Sequence, residues 1–304
     1  MRAEKVWFDG RMVDWEDAKV HVMVHALHYG TGIFEGIRAY ETKEGPAVFR
    51  LPEHLERLYN SAKIFRMEIP YRLEEMAEAV KATVRDNMLA RCYIRPLVFR
   101  GISSMSINPS QAPVHCVVAA IPMGAYLGEG LKKGIRVKIS SYARNYINST
   151  AAKGKITGNY VNSALAVLEA SEDGYDEAIL LDPSGYVAEG SGKNIFWVRR
   201  GKLWTTPTPT VLEGITRATV MEIAADMGIA TGEAMVTRDE LYIADEVFFC
   251  GTGAEITPVR EIDRRTIGAG GVGPVTQRIQ AKYFGIVQGE EAVYRRWLTV
   301  VGKE

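Results

Sequence analysis

The sequence predicts a mixed α/β and α+β protein in two parts, the first built of strands with two helices, the second of strands and helices in alternation. Three observations carry this expectation. Strand-like runs rich in β-branched and aromatic residues recur along the chain, separated by segments of helical periodicity. A length of 304 residues sets a prior of two domains or one large one, with ample core in either case. A Gly- and Pro-punctuated stretch from Ile121 to Gly130, IPMGAYLGEG, reads as a linker or lid, leaving 1–120 as a small domain and 131–304 as a larger one.

The elements follow in order. MRAEKVWFDGRMV reads as a strand, an Asp9-Gly10 turn and a second strand. It has neither the apolar centre of a signal peptide nor the composition of a transit peptide. Val20 to Tyr40 is dense in His, aromatic and Gly residues: Gly30, Gly32 and Gly36 permit close backbone approach, and Tyr29 and Phe34 offer flat apolar walls. His25 and His28 lack a third ligand or an HExxH context, so packing or hydrogen bonding is their expected role. Pro52 to Phe65 reads as an amphipathic helix with Leu55, Leu58, Tyr59, Ala62 and Phe65 on one face, and Arg57 among its polar positions. A second helix runs from Leu73 to about Leu89. Strands follow at Cys92–Phe99 and Val114–Ile121, joined by a polar loop at 103–111 long enough to reach a neighbouring surface. Beyond the linker come a strand at Ile135–Ser140, a helix from about Tyr160 to Ala170, and strands at Glu177–Leu181 and Asn194–Arg199. An Arg200-Gly201 hairpin then leads to Leu203-Trp204. A helix opens near Leu212–Thr216 and ends at Gly228; Thr237-Arg-Asp-Glu240 is a capping box, and the last helix spans about Pro274 to Ile286.

Composition narrows the function. Lys plus Arg and Asp plus Glu number 37 each, so no net field recruits a nucleic acid or an anionic membrane. No apolar run approaches the roughly 20 residues of a membrane span. Cys92, Cys116 and Cys250 are scattered and lack CxxC spacing, as expected of buried reduced thiols in a cytoplasmic chain and not of a disulfide frame or metal site.

The stretch Lys153 to Asn162, KGKITGNYVN, carries the chemistry. Its two lysines sit in extended, Gly-broken sequence before a helix and can present an amine. About thirty residues on, Glu189 lies in what reads as a Gly-flanked turn, YVAEGSGKN. An amine that can be desolvated and a held carboxylate suit the two ends of a Schiff-base cofactor. The helix opening at Leu212–Thr216 offers unpaired N–H groups to a phosphate, although taken by itself a simple Thr cap is the safer reading. Gly251-Thr-Gly-Ala254 is a second Gly-rich turn able to form an anion nest. By contrast, Gly268–Gly273 matches GxGxxG without the βαβ context that motif needs.

The strings HALHYGTGIFEGIRAY, YIRPLVFRG, GAYLG, GNYVNS, GYVAEGSGKN, LEGITR, DEVFFCGTGAEITPV and GPVT together resemble the branched-chain amino-acid aminotransferases of the class IV, fold type IV pyridoxal-phosphate enzymes. The resemblance implies a small α+β domain, an interdomain loop and a larger pseudo-barrel domain. It implies pyridoxal 5′-phosphate as cofactor and selects Lys155 over Lys153 as the Schiff-base lysine and proton-transferring base. It places Glu189 beneath the pyridine nitrogen, Tyr160 on the phenolic oxygen, Arg57, Ile215, Thr216 and Thr252 around the phosphate, and Leu212 among the other cofactor-binding residues. Tyr93, the Thr252-Gly253-Ala254 backbone and, directly or through Tyr93, Arg95 would meet the substrate carboxylate, with Arg38 for the side-chain charge of glutamate. Phe34, Met123 and Tyr126 would wall the pocket, with Tyr29 and Ile107 supplied by a second subunit. The implied substrates are amino acids and 2-oxo acids: Leu, Ile and Val exchanging with 2-oxoglutarate. The implied assembly is a homodimer at least, with a trimer of dimers as the larger form. Met123 and Gly253 depart from the Trp and Ala common in bacterial relatives, which implies a roomier pocket that also admits Met, Phe or some primary amines. Other fold type IV activities, namely D-amino-acid or (R)-amine transamination and aminodeoxychorismate lysis, are the alternative, and a non-catalytic scaffold of the same fold is a third reading.

Overall fold

The computed structural model describes residues 3–104, 106–124 and 128–302, in two compact units. The first unit comprises Met1–Gly124, Gly154–Gly158 and Gly285–Glu304; the second comprises Ala125–Lys153 and Asn159–Phe284.

In the first unit, β1 (Lys5–Phe8) and β2 (Arg11–Asp14) form a hairpin whose Asp9 and Gly10 both have positive φ, as a two-residue turn requires. Helix α1 (His25–Tyr29) leads into β3 (Gly32–Phe34), β4 (Ile37–Thr42) and β5 (Gly45–Phe49). Helices α2 (Leu51–Ile64) and α3 (Leu73–Asp86) follow, then β6 (Cys92–Arg100) and β7 (Val114–Pro122). Helix α2 buries Leu51, Leu55, Leu58 and Ala62, and α3 buries Met76, Ala79, Val80 and Val84, spacings of three and four that give each helix one apolar face. The long β6–β7 ladder, from Cys92 opposite Pro122 to Arg100 opposite Val114, forms the centre of the sheet.

The second unit begins with the short helix α4 (Gly130–Lys133), β8 (Ile135–Ile139) and α5 (Tyr160–Glu172). Strands β9 (Glu177–Leu181), β10 (Val187–Gly190), β11 (Asn194–Arg199) and β12 (Lys202–Thr205) precede α6 (Ile215–Asp226). The chain continues through β13 (Thr231–Glu233), α7 (Arg238–Tyr242), β14 (Glu246–Gly251) and β15 (Glu255–Ile262). The sheet order is β10-β9-β8-β15-β14-β11-β12-β13, with β8 parallel to both its neighbours. Its core packs Val137, Ile179, Ile195, Val247, Phe249 and Val259. The two-residue strand β16 (Arg265–Thr266) pairs with β15, and α8 (Pro274–Val287) follows. Back in the first unit, β17 (Leu298–Val300), which the sequence reading did not anticipate, pairs with β5. No helix among the described residues is long and apolar enough to cross a membrane.

Two expectations need correction. Glu189 lies not in a turn but within β10, where the register against β9 shifts between Val187 and Glu189 and buries the carboxylate to 3% exposure. A bulge of this kind re-aims a strand side chain while keeping its neighbours paired. Helix α6 starts at Ile215 with Gly214 as N-cap and no side-chain cap, so Thr216 is its second residue and not the cap.

Candidate active site

In the first unit the pleat of β6 sends Cys92, Ile94 and Pro96 to the buried face and leaves Tyr93, Arg95 and Leu97 half-buried on the other. Arg38 of β4 pairs opposite Tyr93. The Tyr93 hydroxyl accepts from Arg95 Nη2 at 3.0 Å, and the Arg95 guanidinium lies 4.5 Å from the Phe34 ring centroid. Gly36 makes this possible, because a Cβ there would lie 2.0 Å from the Tyr93 hydroxyl. Arg38 is buried and its Nη2 donates to the carbonyl oxygens of Gly124 at 2.6 Å and Met123 at 3.4 Å.

Lys155 belongs to the same cluster. Its amine lies 4.8 Å from the Phe34 centroid, a cation–π distance. Its backbone is fixed on both edges: Phe34 N–H donates to the Lys155 carbonyl at 3.0 Å, and Lys155 N–H donates to Ser61 Oγ at 3.0 Å. The next residue, Ile156, bridges Ile33. The Ser61 hydroxyl in turn donates to the carbonyl of Arg57 at 2.9 Å, so α2 ties the lysine to the turn that carries Arg57.

Beneath this lies a buried polar network. Glu35, fully buried, accepts from Arg57 Nε at 2.6 Å and Nη2 at 2.9 Å, and from His54 Nδ1 at 2.7 Å. His54, Arg57 and Ser61 recur at helical spacing on one face of α2. Burial works to raise the Glu35 carboxyl, but Arg57 and His54 override it and hold the group well below the usual carboxylate range. Burial pushes His54 below its ordinary 6.5, against the opposing pull of Glu35, so the ring is neutral and donates its Nδ1 proton.

Both shifts have the same consequence for stability. Below pH 6.5 the unfolded chain takes up protons at His54 before the folded one does, and below 4.5 the same holds for Glu35. Stability therefore falls as pH falls through both windows. Thermal unfolding of His54→Gln between pH 7.5 and 5 is expected to show a shallower loss on acidification than the parent protein, and an unchanged slope would contradict the assignment.

In the second unit Glu189 accepts from Arg144 Nε at 2.9 Å and from Asn194 Nδ2 at 3.4 Å. The Asn194 amide also donates to the Leu212 carbonyl at 3.1 Å, joining the acid to the loop ahead of α6. A Cβ at Gly214 would lie 1.9 Å from Asn194 Oδ1, which explains the glycine of the LEGIT string. Ile215 and Thr216 are buried in the first turn of α6. Tyr160, the first residue of α5, passes close to Gly192. Thr252, Gly253 and Ala254 form the β14–β15 turn, closed by a Thr257 hydroxyl donating to the Ala254 carbonyl at 2.7 Å. Lys153 is engaged elsewhere: its amine donates to the Thr208 carbonyl at 2.5 Å and pairs with Glu213 at 2.8 Å. The two lysines thus sit in different surroundings, an ion pair for Lys153 and an aromatic face for Lys155.

The structure groups Phe34, Arg38, Tyr93, Arg95 and Lys155 in one unit, and Glu189, Leu212, Ile215 and Thr216 in the other. Tyr29 and Ile107 are exposed, at 39% and 78%. Tyr126 lies outside the described residues. Sequence reasoning missed Glu35, His54, Ser61, Arg144 and Asn194; only the helical register of His54, Arg57 and Ser61 offered a signal. His25 behaves as expected, contacting Thr31 Oγ1 at 2.8 Å and the Ser106 carbonyl at 2.9 Å, and no metal-binding cluster is present among the described residues.

The first unit thus carries an aromatic-faced amine, and the second a buried acid with its own arginine and a helix N-terminus. Residues 32–262 match the family described as amino-transferase class IV, and the chain belongs to that family. More particularly, it is 50% identical over 297 residues to a branched-chain-amino-acid aminotransferase of Pseudomonas aeruginosa, covering 97% of each chain. The T.th. branched-chain amino acid aminotransferase, solved with pyridoxamine 5′-phosphate, superposes with a TM-score of 0.97 at 52% identity, covering 99% of this chain and 100% of that one. The same enzyme complexed with N-(5′-phosphopyridoxyl)-L-glutamate gives a TM-score of 0.96 at 51% identity and covers 99% of each chain. The fold is therefore the fold type IV architecture expected from the sequence.

Proposed function

We propose that this aminotransferase holds pyridoxal 5′-phosphate on Lys155 and moves the amino group of Leu, Ile or Val to 2-oxoglutarate, yielding branched-chain 2-oxo acids and glutamate. The observation that carries the residue assignment is the seating of Lys155, backbone pinned on both edges and amine over Phe34. The donor set suits the cofactor: an amine for its aldehyde, a buried carboxylate for its ring nitrogen, and a guanidinium with a helix N-terminus for its phosphate. When bound, the group supplies the aldehyde that receives the amino group and the ring that takes up the electron pair left at the substrate Cα.

The chain's own residues do the rest. Lys155 Nζ would take the proton from the substrate Cα and return it at the carbon that bore the cofactor's aldehyde, two bonds from Cα across the transferred nitrogen. Glu189, paired with Arg144, would face the ring nitrogen and favour its protonated form, and the Tyr160 hydroxyl would donate to the ring oxygen. Arg57, Ile215, Thr216 and Thr252 would hold the phosphate, with Leu212 beside the cofactor. Tyr93, Arg95 and the Thr252–Ala254 backbone orient the substrate carboxylate, and Arg38 meets the second carboxylate of glutamate. Phe34, Met123 and Tyr126 exclude water from the side chain. Relatives named for branched-chain substrates support this choice over D-amino-acid, (R)-amine or lyase chemistry.

The functional unit is a homodimer at least, a trimer of dimers being the larger alternative, with Tyr29 and Ile107 reaching a neighbouring copy. The exposure of Val22, Leu27, Tyr29 and Ile107 supports such an interface. We place the enzyme in the cytoplasm on its three buried free cysteines, of which Cys92 and Cys116 are pushed by burial up to about 12. We assign residues 1–120 as the small domain, 121–130 as the interdomain loop and 131–304 as the large domain, although Gly154–Gly158 and Gly285–Glu304 cluster with the first unit.

A half-reaction titration tests the reading: L-Leu, L-Ile and L-Val are expected to convert the cofactor to its amine form, and D-Ala is not. L-Met and L-Phe are expected to follow at reduced efficiency if Met123 and Gly253 enlarge the pocket. Gly36→Ala is expected to displace the Tyr93 hydroxyl and raise KM for L-Leu about tenfold, with cofactor affinity within about twofold of the parent. An unchanged KM would remove Tyr93 from the substrate site.

A further inference from the structure

We infer that Glu35 is a positioning residue that sets the orientation of Arg57 for the cofactor phosphate, an inference that rests on the phosphate role proposed for Arg57. Glu35 is fully buried and spends both carboxylate oxygens on α2: Oε1 accepts from Arg57 Nε, and Oε2 accepts from Arg57 Nη2 and His54 Nδ1. The Gly36 N–H adds a further contact to Oε2 at 3.2 Å.

A guanidinium gripped side-on through Nε and Nη2 cannot rotate about its last bonds. The planarity of the group directs Nη1 away from the carboxylate, along one fixed line. An arginine side chain otherwise gives up considerable rotamer freedom on meeting a ligand, and Glu35 removes that cost before any phosphate arrives. The backbone on both sides is also fixed, since Glu35 N–H donates to the Pro96 carbonyl at 2.8 Å and the Arg57 carbonyl accepts from Ser61. Neutral His54 adds a hydrogen bond without adding a second positive charge, so the network carries one anion and one cation. Its contribution to phosphate binding is therefore orientation more than field.

The test compares pyridoxamine 5′-phosphate with pyridoxamine, which lacks the phosphate, as ligands of the full chain freed of cofactor. Binding is read by calorimetry and needs no turnover. Glu35→Gln is expected to lower the preference for the phosphorylated ligand at least tenfold while leaving pyridoxamine affinity within about twofold. Glu35→Asp, which keeps the charge but draws the grip back by one methylene, is expected to lower the same ratio severalfold. Equal weakening of both ligands, an unchanged ratio or a higher ratio overturns the inference, as does failure of both variants to fold, which would make Glu35 purely structural. Arg57→Ala separates the two levels of the argument. If it leaves the ratio unchanged, the proposed phosphate role of Arg57 is wrong; if it lowers the ratio while both Glu35 variants do not, only the positioning role falls.

Discussion

Replacing Lys155 with Ala is expected to lower turnover of L-Leu by about 10³-fold or more, because one side chain is both the attachment point and the proton carrier. Folding should survive. The segment is held by backbone groups of Lys155 and by Ile156 against Ile33, none of which the substitution removes. The variant is expected to bind pyridoxamine 5′-phosphate and to melt within a few degrees of the parent. Lys153→Ala is the control. Lys153 pairs with Glu213 and the Thr208 carbonyl near the protein surface, so its loss should leave the chemical step nearly intact. A large loss of rate in Lys153→Ala with little in Lys155→Ala would reverse the assignment.

Glu189→Gln is expected to lower kcat about 10²–10³-fold, the usual scale for removing a group aimed at charge that develops during reaction. It should also destabilise the fold by about 3 kcal/mol, because Arg144, whose side chain is 14% exposed, keeps its charge and loses its counterion. The two effects can be separated. Adding Arg144→Met to Glu189→Gln removes the stranded cation and should restore most of the melting temperature, but none of the rate. Recovery of activity along with stability would mean that the acid serves folding alone.

Much of the fold was legible because its signals are local. The Asp9-Gly10 turn, the α2 and α3 periodicity, the Thr237 capping box and the Arg200-Gly201 hairpin each depend on residues within a few positions of one another. Lys155 and Glu189 are legible as residue types in Gly-rich surroundings, although spacing alone does not separate Lys155 from Lys153. What could not be read were the groups that tune them. Glu35 reaches Arg57 across 22 positions and Arg144 reaches Glu189 across 45, distances over which sequence spacing carries no contact information. The bulge that buries Glu189 depends on how β10 registers against β9, and a Glu-Gly-Ser-Gly string reads as a turn until that pairing is known. The return of Gly154–Gly158 to the first unit is likewise set by tertiary pairing, through Ile156 and Ile33, and has no local signature.

The claim that one particular amine holds the cofactor is tested most directly by borohydride reduction of the purified enzyme followed by peptide mass mapping. The expected result is a single phosphopyridoxyl adduct on Lys155, lost in Lys155→Ala. An adduct on Lys153 or on any other lysine, or no reducible linkage in protein saturated with pyridoxal 5′-phosphate, would contradict the account.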